Sequence, residues 1–250
     1  ISVLNTGHSH PKITQRVHEQ LDKFTHTAAQ MINYECYVDL AEKLCEKAPI
    51  SGDTKAFFLT TGAEAVENCI KIARAKTRRP GVISFVGGWH GRTMMCMSLT
   101  GKVLPYKKNF GPMPGPVFHA LFPGEELNVT EAQALHSLDM IFQADIDPSE
   151  VAAMIVEPVQ GEGGFHQVTP SFAKALREIC DEHGIVLIFD EVQCGFARTG
   201  TLFASEQLGV EPDLMTSAKS LAGGYPISAV IGRKEIIDSL SAGQHIFTFG

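Results

Sequence analysis

An α/β fold, with a mainly parallel sheet covered by helices on both faces, is what this sequence predicts, and two observations predict it. Apolar runs of strand length alternate with segments whose apolar residues recur at helical spacing, the pattern of strands joined by crossover helices. The strand-length runs are also apolar throughout, as strands buried on both faces are. With 250 residues, 44% of them hydrophobic, the chain has enough apolar material to fill such a core.

The elements follow in order. Residues 11–24, PKITQRVHEQLDKF, set Ile13, Val17, Leu21 and Phe24 on one helical face, with Pro11 near the first turn. CYVDLAEKLCEKA (36–48) repeats the pattern through Val38, Ala41 and Cys45. AFFLTTG (56–62) reads as a short buried strand running straight into the helix AEAVENCIKIARAKT (63–77), where Val66, Ile70 and Ala73 share a face. GVISFV (81–86) and VAAMIVEP (151–158) are further strands. Between them, residues 100–150 carry five prolines from Pro105 to Pro123 and read as surface loops with one helix. In TPSFAKALREICDEHG (169–184), Thr169 is the expected N-cap, Pro170 the first helical position and Gly184 the stop. IVLIFD (185–190) and DLMTSA (213–218) complete the strands. No internal repeat or long linker interrupts this pattern, so residues 1–250 are expected to form one α/β domain. The chain opens without methionine and its last residues, HIFTFG, stop inside a strand or loop, so a fragment is expected.

Composition removes several functional classes. The net charge is -7 and the charges are dispersed, so there is no basic footprint for nucleic acid. No apolar run approaches the ~20 residues of a membrane span. The six cysteines form neither a CxxC pair nor a zinc spacing, so a reduced cytosolic or organellar-matrix setting is the simplest account, and a cytoplasmic one is expected. His8 and His10 lack a third nearby ligand, so no metal site is expected. Neither GxGxxG nor GK[ST] occurs, which leaves dinucleotide and P-loop binding unsupported.

Four features fall at strand ends, where open α/β sheets bind ligands. TTGAEA (60–65) opens a helix with small residues, so Gly62 and Ala63 offer backbone amides to an anion; an ordinary tight turn has the same pattern. Asp190 ends an apolar strand, where a carboxylate is costly unless it meets a cation or several donors; a helix cap or structural ion pair would also meet that need. GGWHGRT (87–93) brings a flat ring, Trp89, beside the bidentate fork of Arg92, with His90 between them. Lys219 is the one cation between two apolar, strand-like runs within residues 213–232. An amine so placed is either a Schiff-base former or a lysine snorkelling to solvent. An anion cradle, a buried carboxylate, an aromatic face and an amine together match the parts of pyridoxal 5′-phosphate.

The segments TTGAEAVENCIKIAR, GGWHGRT, IVEPVQGEGGF, LIFDEVQCGFARTGTLFA and PDLMTSAKSLAGGYP resemble the class III pyridoxal-phosphate-dependent aminotransferases, in order along nearly the whole chain. The resemblance implies the large domain of the fold type I pyridoxal-phosphate transferases, with part of the N-terminal segment at 1–50 and without the C-terminal small domain. It implies that Lys219 holds the cofactor as a Schiff base and that Asp190 pairs with its ring nitrogen. Gly62 and Ala63 would bind the phosphate, Trp89 would stack on the ring where the family more often has phenylalanine or tyrosine, and His90 would belong to the same cofactor-binding set. Val192 would pack on the other face and Gln193 would reach the ring hydroxyl. Thr248 would reach the phosphate of a partner subunit, which implies a homodimer. Arg92 would take the substrate carboxylate, Glu157 would lie near the reacting carbon, and Glu162 would gate a second arginine lying beyond Gly250. The implied reaction moves the amino group of 4-aminobutyrate to the 2-oxo acid 2-oxoglutarate. Ornithine or N-acetylornithine as donor, a pyridoxal-dependent decarboxylase or mutase, and a non-catalytic truncated fragment remain alternatives.

Overall fold

The computed structural model describes residues 2–29, 31–241 and 243–244. Helices α1 (Pro11–Leu21) and α2 (Glu35–Lys47) lead into strand β1 (Thr54–Leu59), helix α3 (Gly62–Thr77) and strand β2 (Gly81–Phe85). Helix α4 (Met94–Leu99), strand β3 (Val117–Ala120) and helix α5 (Glu131–Ala144) follow, then strand β4 (Val151–Val156). A small excursion comes next, with strand β5 (Val159–Gln160), helix α6 (Gly161–Gly164) and strand β6 (His166–Gln167). Helix α7 (Pro170–His183), strands β7 (Val186–Asp190), β8 (Leu214–Ser217) and β9 (Ser228–Arg233), and the short helix α8 (Lys234–Ile237) complete the described elements.

Seven strands form one sheet in the order β1-β9-β8-β7-β4-β2-β3. Neighbours from β8 to β3 pair in parallel, while β9 runs antiparallel to both β8 and β1. Since β9 alone is reversed, β1, β2, β4, β7 and β8 all end on the same edge. The sheet buries both faces, and alternate residues choose between them. In β4 and β7, Met154, Val156, Leu187 and Phe189 pack with Leu138 of α5 and Phe172 of α7. Ala153, Ile155, Val186 and Ile188 pack with Val66, Ile70 and Ile72 of α3 on the opposite face. A third cluster sets Leu44 of α2 against Phe58, Met215 and Ile231. The expected mainly parallel sheet, with helices on both faces, is therefore the fold observed.

Local signals locate the helices well. Thr169 Oγ1 accepts the Phe172 amide at 3.2 Å, Pro170 opens α7, and Gly184 closes it at φ +64° with its amide on the Cys180 carbonyl. Residues 100–150 depart from expectation, because they contain a strand, β3, besides loops and a helix. Its four residues follow Pro116 at the sheet edge, too short and too close to prolines to register as a periodic run. Pro116 fits because its carbonyl, not a missing amide, joins the ladder, accepting from Val82 N at 3.2 Å.

One close approach fixes the loop after β2. Gly101 donates to the Gly88 carbonyl at 2.9 Å and accepts from Gly87 N at 3.1 Å. A Cβ on Gly101 would lie 2.2 Å from the Phe85 carbonyl oxygen and 2.7 Å from Gly87 N, so only glycine allows this lock. The lock holds residues 87–92 over the sheet edge.

Candidate active site

The strand ends converge on one cleft of about 790 Å³. Every sequence-predicted site residue except Thr248 lines it; Thr248 lies outside the described residues. The loop after β1 contributes the start of α3. Thr61 caps this helix by accepting Glu64 N at 3.2 Å, and the Glu64 carboxylate returns to Thr61 N at 2.8 Å. The capping box leaves the amides of Gly62 and Ala63, the first two helical positions, without an acceptor among the described residues, at the positive end of a 16-residue helix. Gly62 also leaves room for Val192, whose Cγ1 would be 2.9 Å from a Cβ placed there.

Asp190 closes β7 and is only 3% exposed. Its Oδ2 meets His90 Nδ1 at 2.8 Å, and its Oδ1 accepts from Thr216 Oγ1 at 2.9 Å and Val192 N at 3.1 Å. Three heavy atoms thus fix one buried carboxylate, which answers the cost of placing it at the end of an apolar strand. Burial alone would lower the His90 pKa. The Asp190 hydrogen bond and charge, with the charge of Glu157, outweigh that and raise it above the usual histidine value, which favours the charged form of the His90 ring. Thr216 was not legible as a site residue, because its role depends on the β7–β8 register that sets it opposite Asp190.

Glu157 follows β4 and is 4% exposed. Its Oε2 accepts from Trp89 N at 2.8 Å, so the carboxylate holds the backbone of the 87–92 loop. Burial pushes its pKa from 4.5 to about 7, with the Asp190 charge adding to that and His90 opposing it. In the unfolded chain this carboxyl releases its proton near 4.5, so between 4.5 and 7 the folded chain holds a proton that the unfolded chain has lost. Stability therefore falls as pH rises through that window and levels off above it. Glu157→Gln keeps an acceptor for Trp89 N and removes the titration. Urea unfolding across pH 4.5–8 should show the parent losing on the order of 3 kcal/mol more than this variant; equal slopes would contradict the account.

Lys219 follows β8 and begins a 3-10 turn at φ +43°, a left-handed conformation that is uncommon for a residue with a side chain. The turn is tied down by Leu221 N on the Ala218 carbonyl at 2.9 Å and by Ser220 Oγ on the Ser2 carbonyl at 2.7 Å. Lys219 makes no ion pair with any described residue, so its amine faces the cleft uncommitted. Gln193 Oε1 is buried without a hydrogen-bond partner among the described residues and fills space that only the missing Cβ of Gly161 leaves open. Trp89, Arg92 and Glu162 also line the cleft, the last two of them exposed.

Among the described residues no group of three or more histidine, cysteine, aspartate or glutamate side chains could hold a metal ion. No described helix is long and apolar enough to cross a membrane.

The class-III aminotransferase family matches residues 1–250. The chain belongs to that family. Enzymes of this family depend on pyridoxal 5′-phosphate. This class-III chain is 54% identical over 243 residues to the 5-aminovalerate aminotransferase DavT of Pseudomonas aeruginosa, covering 97% of the chain and 57% of the relative. It is 52% identical, with the same coverage, to the 4-aminobutyrate aminotransferase GabT of Escherichia coli. It therefore spans little more than half the length of these curated relatives. Among solved structures, a transaminase from the marine bacterium Virgibacillus superposes with a TM-score of 0.90 at 29% identity, over 98% of this chain and 56% of that one. An ornithine aminotransferase from Toxoplasma gondii, described with partial occupancy of pyridoxal phosphate at its active site, superposes at 0.86 with 32% identity, over 100% and 56%.

Proposed function

We propose that residues 1–250 are the large, cofactor-binding domain of an aminotransferase that moves the amino group of 4-aminobutyrate to 2-oxoglutarate, giving succinate semialdehyde and glutamate. One observation carries the reading: the cleft gathers the free amides of Gly62 and Ala63, the orphaned Gln193 Oε1 and the uncommitted Lys219 amine around the Asp190–His90 pair. These are the donors, acceptor and amine that pyridoxal 5′-phosphate would satisfy, so the residues present fit the group. Bound there, the cofactor supplies an aldehyde that captures amines and a protonated ring that draws electron density from the reacting carbon.

The residues divide the remaining work. Gly62 and Ala63, with the α3 dipole, would hold the phosphate, and Gln193 would hold the ring hydroxyl. Trp89 and Val192 would flank the ring and exclude water. Asp190 would keep the proton on the ring nitrogen, while His90 and Thr216 keep its carboxylate charged and aimed. Lys219 would anchor the cofactor; with its Nζ freed by substrate, that atom would take the proton from the amino-bearing carbon. Arg92 would receive the donor carboxylate as a bidentate fork, with Glu157 beside the reacting carbon. Glu162 would gate an arginine that comes from outside these residues. A homodimer, with Thr248 of each chain facing its partner's phosphate, and a cytoplasmic setting belong to the same proposal. The six free cysteines support the latter.

A second reading, 5-aminovalerate as donor, is favoured by the 54% identity to DavT. The test compares kcat/KM for 4-aminobutyrate, 5-aminovalerate, ornithine and N-acetylornithine, with 2-oxoglutarate or pyruvate as acceptor. The highest value for 4-aminobutyrate, with glutamate formed, is expected. Preference for an ornithine donor, or for pyruvate, would reverse the assignment.

A further inference from the structure

The segment between α4 and β3 read as surface loop, yet it packs against two residues that line the cleft, Trp89 and Arg92. Tyr106 and Phe110 lie on a turn closed by Lys107 N on the Val103 carbonyl at 2.7 Å and Phe110 N on the Lys107 carbonyl at 3.1 Å. Lys107 Nζ anchors that turn to the end of α4 through the Ser98 carbonyl at 3.0 Å. The Arg92 guanidinium carbon sits 5.4 Å from the Tyr106 ring centroid and 5.8 Å from that of Phe110. The Tyr106 ring also packs 5.3 Å from Trp89, inclined at 56°. One ring therefore touches both the cation and the indole that face the cleft.

Arg92 is exposed and makes no ion pair with any described residue. A long side chain in that position is normally spread over many rotamers, and ordering it opposes binding. Stacking on a ring face restrains a guanidinium while leaving its in-plane N–H donors free, because the cation–π contact uses the face and hydrogen bonds use the edge. The two aromatic contacts thus restrain Arg92 without consuming the donors that a carboxylate needs.

We infer that Tyr106 and Phe110 form an aromatic clamp that presets Arg92 for donors bearing a carboxylate, which makes Tyr106 a specificity-determining positioning residue. This rests on the assignment of Arg92 to the donor carboxylate. The clamp acts through the ring and not the hydroxyl, so Tyr106→Phe should behave like the parent.

The test uses the complete holoenzyme, with two donors: 4-aminobutyrate, and butylamine as the same amine without the carboxylate. KM and kcat are measured for the first, and the second-order rate of the first half-reaction for the second. Tyr106→Leu should raise KM for 4-aminobutyrate by about 2- to 5-fold, and the double variant with Phe110→Leu by roughly tenfold. The butylamine rate and the kcat for 4-aminobutyrate should stay within about twofold of the parent in both. Parental KM in the double variant, with Arg92→Gln still raising it, would overturn the clamp and leave the carboxylate assignment standing. Equal losses for the two donors would also overturn it, since the rings would then only support the fold or Trp89. If Arg92→Gln affects both donors alike, the assignment of Arg92 falls, and the clamp with it.

Discussion

Replacing Lys219 with alanine should abolish turnover, lowering glutamate formation by roughly 10⁴-fold or more, because covalent anchoring and proton transfer are lost together. The fold should survive. The Lys219 side chain is half-buried and pairs with no carboxylate among the described residues, so its removal strands no buried charge. The surrounding turn is held by the Leu221 amide and the Ser220 hydroxyl rather than by the amine. An assay of glutamate production beside a thermal melt checks both halves. Near-parental turnover in a folded variant would remove Lys219 from the mechanism.

Asp190→Asn carries the second large effect. The amide matches the carboxylate in shape but cannot stabilise a cation, either on the cofactor ring or on His90. Turnover should fall by roughly 10²- to 10³-fold, the range for losing one preorganised electrostatic contact in a buried site. Stability should respond with a definite sign. The folded-state pKa of His90 is raised, so the stability it contributes is complete below the unfolded histidine value of 6.5 and fades as pH rises through the folded value. Asp190→Asn removes the partner responsible for that raised value. The variant should therefore be less stable than the parent by on the order of 3 kcal/mol at pH 6, and by less at pH 9. Urea unfolding at the two pH values measures this; a deficit that grows towards pH 9 would contradict the upward shift of His90.

Features that depend on nearby residues were legible in the sequence. Helix α7 could be read from Thr169, Pro170 and Gly184 because capping is local chemistry. Asp190, Lys219 and Gly62 stood out because each sits where an apolar strand ends, and a parallel sheet brings such ends to one edge. Features set by register or by long-range approach were not legible. Thr216 serves Asp190 only because β7 and β8 pair at that position. Glu157 entered only through the family resemblance, and nothing local marks it as the acceptor for Trp89 N, 68 residues away. Strand β3 is short and follows prolines, and helix α4, residues 94–99, spans fewer than two turns, so neither imposes a clear period. Tyr106 lay within the same irregular stretch, where spacing gives no hint that the chain folds back to the cleft.

The central claim is that this cleft holds pyridoxal 5′-phosphate on Lys219. The most direct measurement loads the complete protein with the cofactor, reduces it with borohydride and maps the label by peptide mass spectrometry. The account predicts a phosphopyridoxyl group on the peptide containing Lys219, at one equivalent per chain. A label on another lysine, or none at that residue, would contradict it.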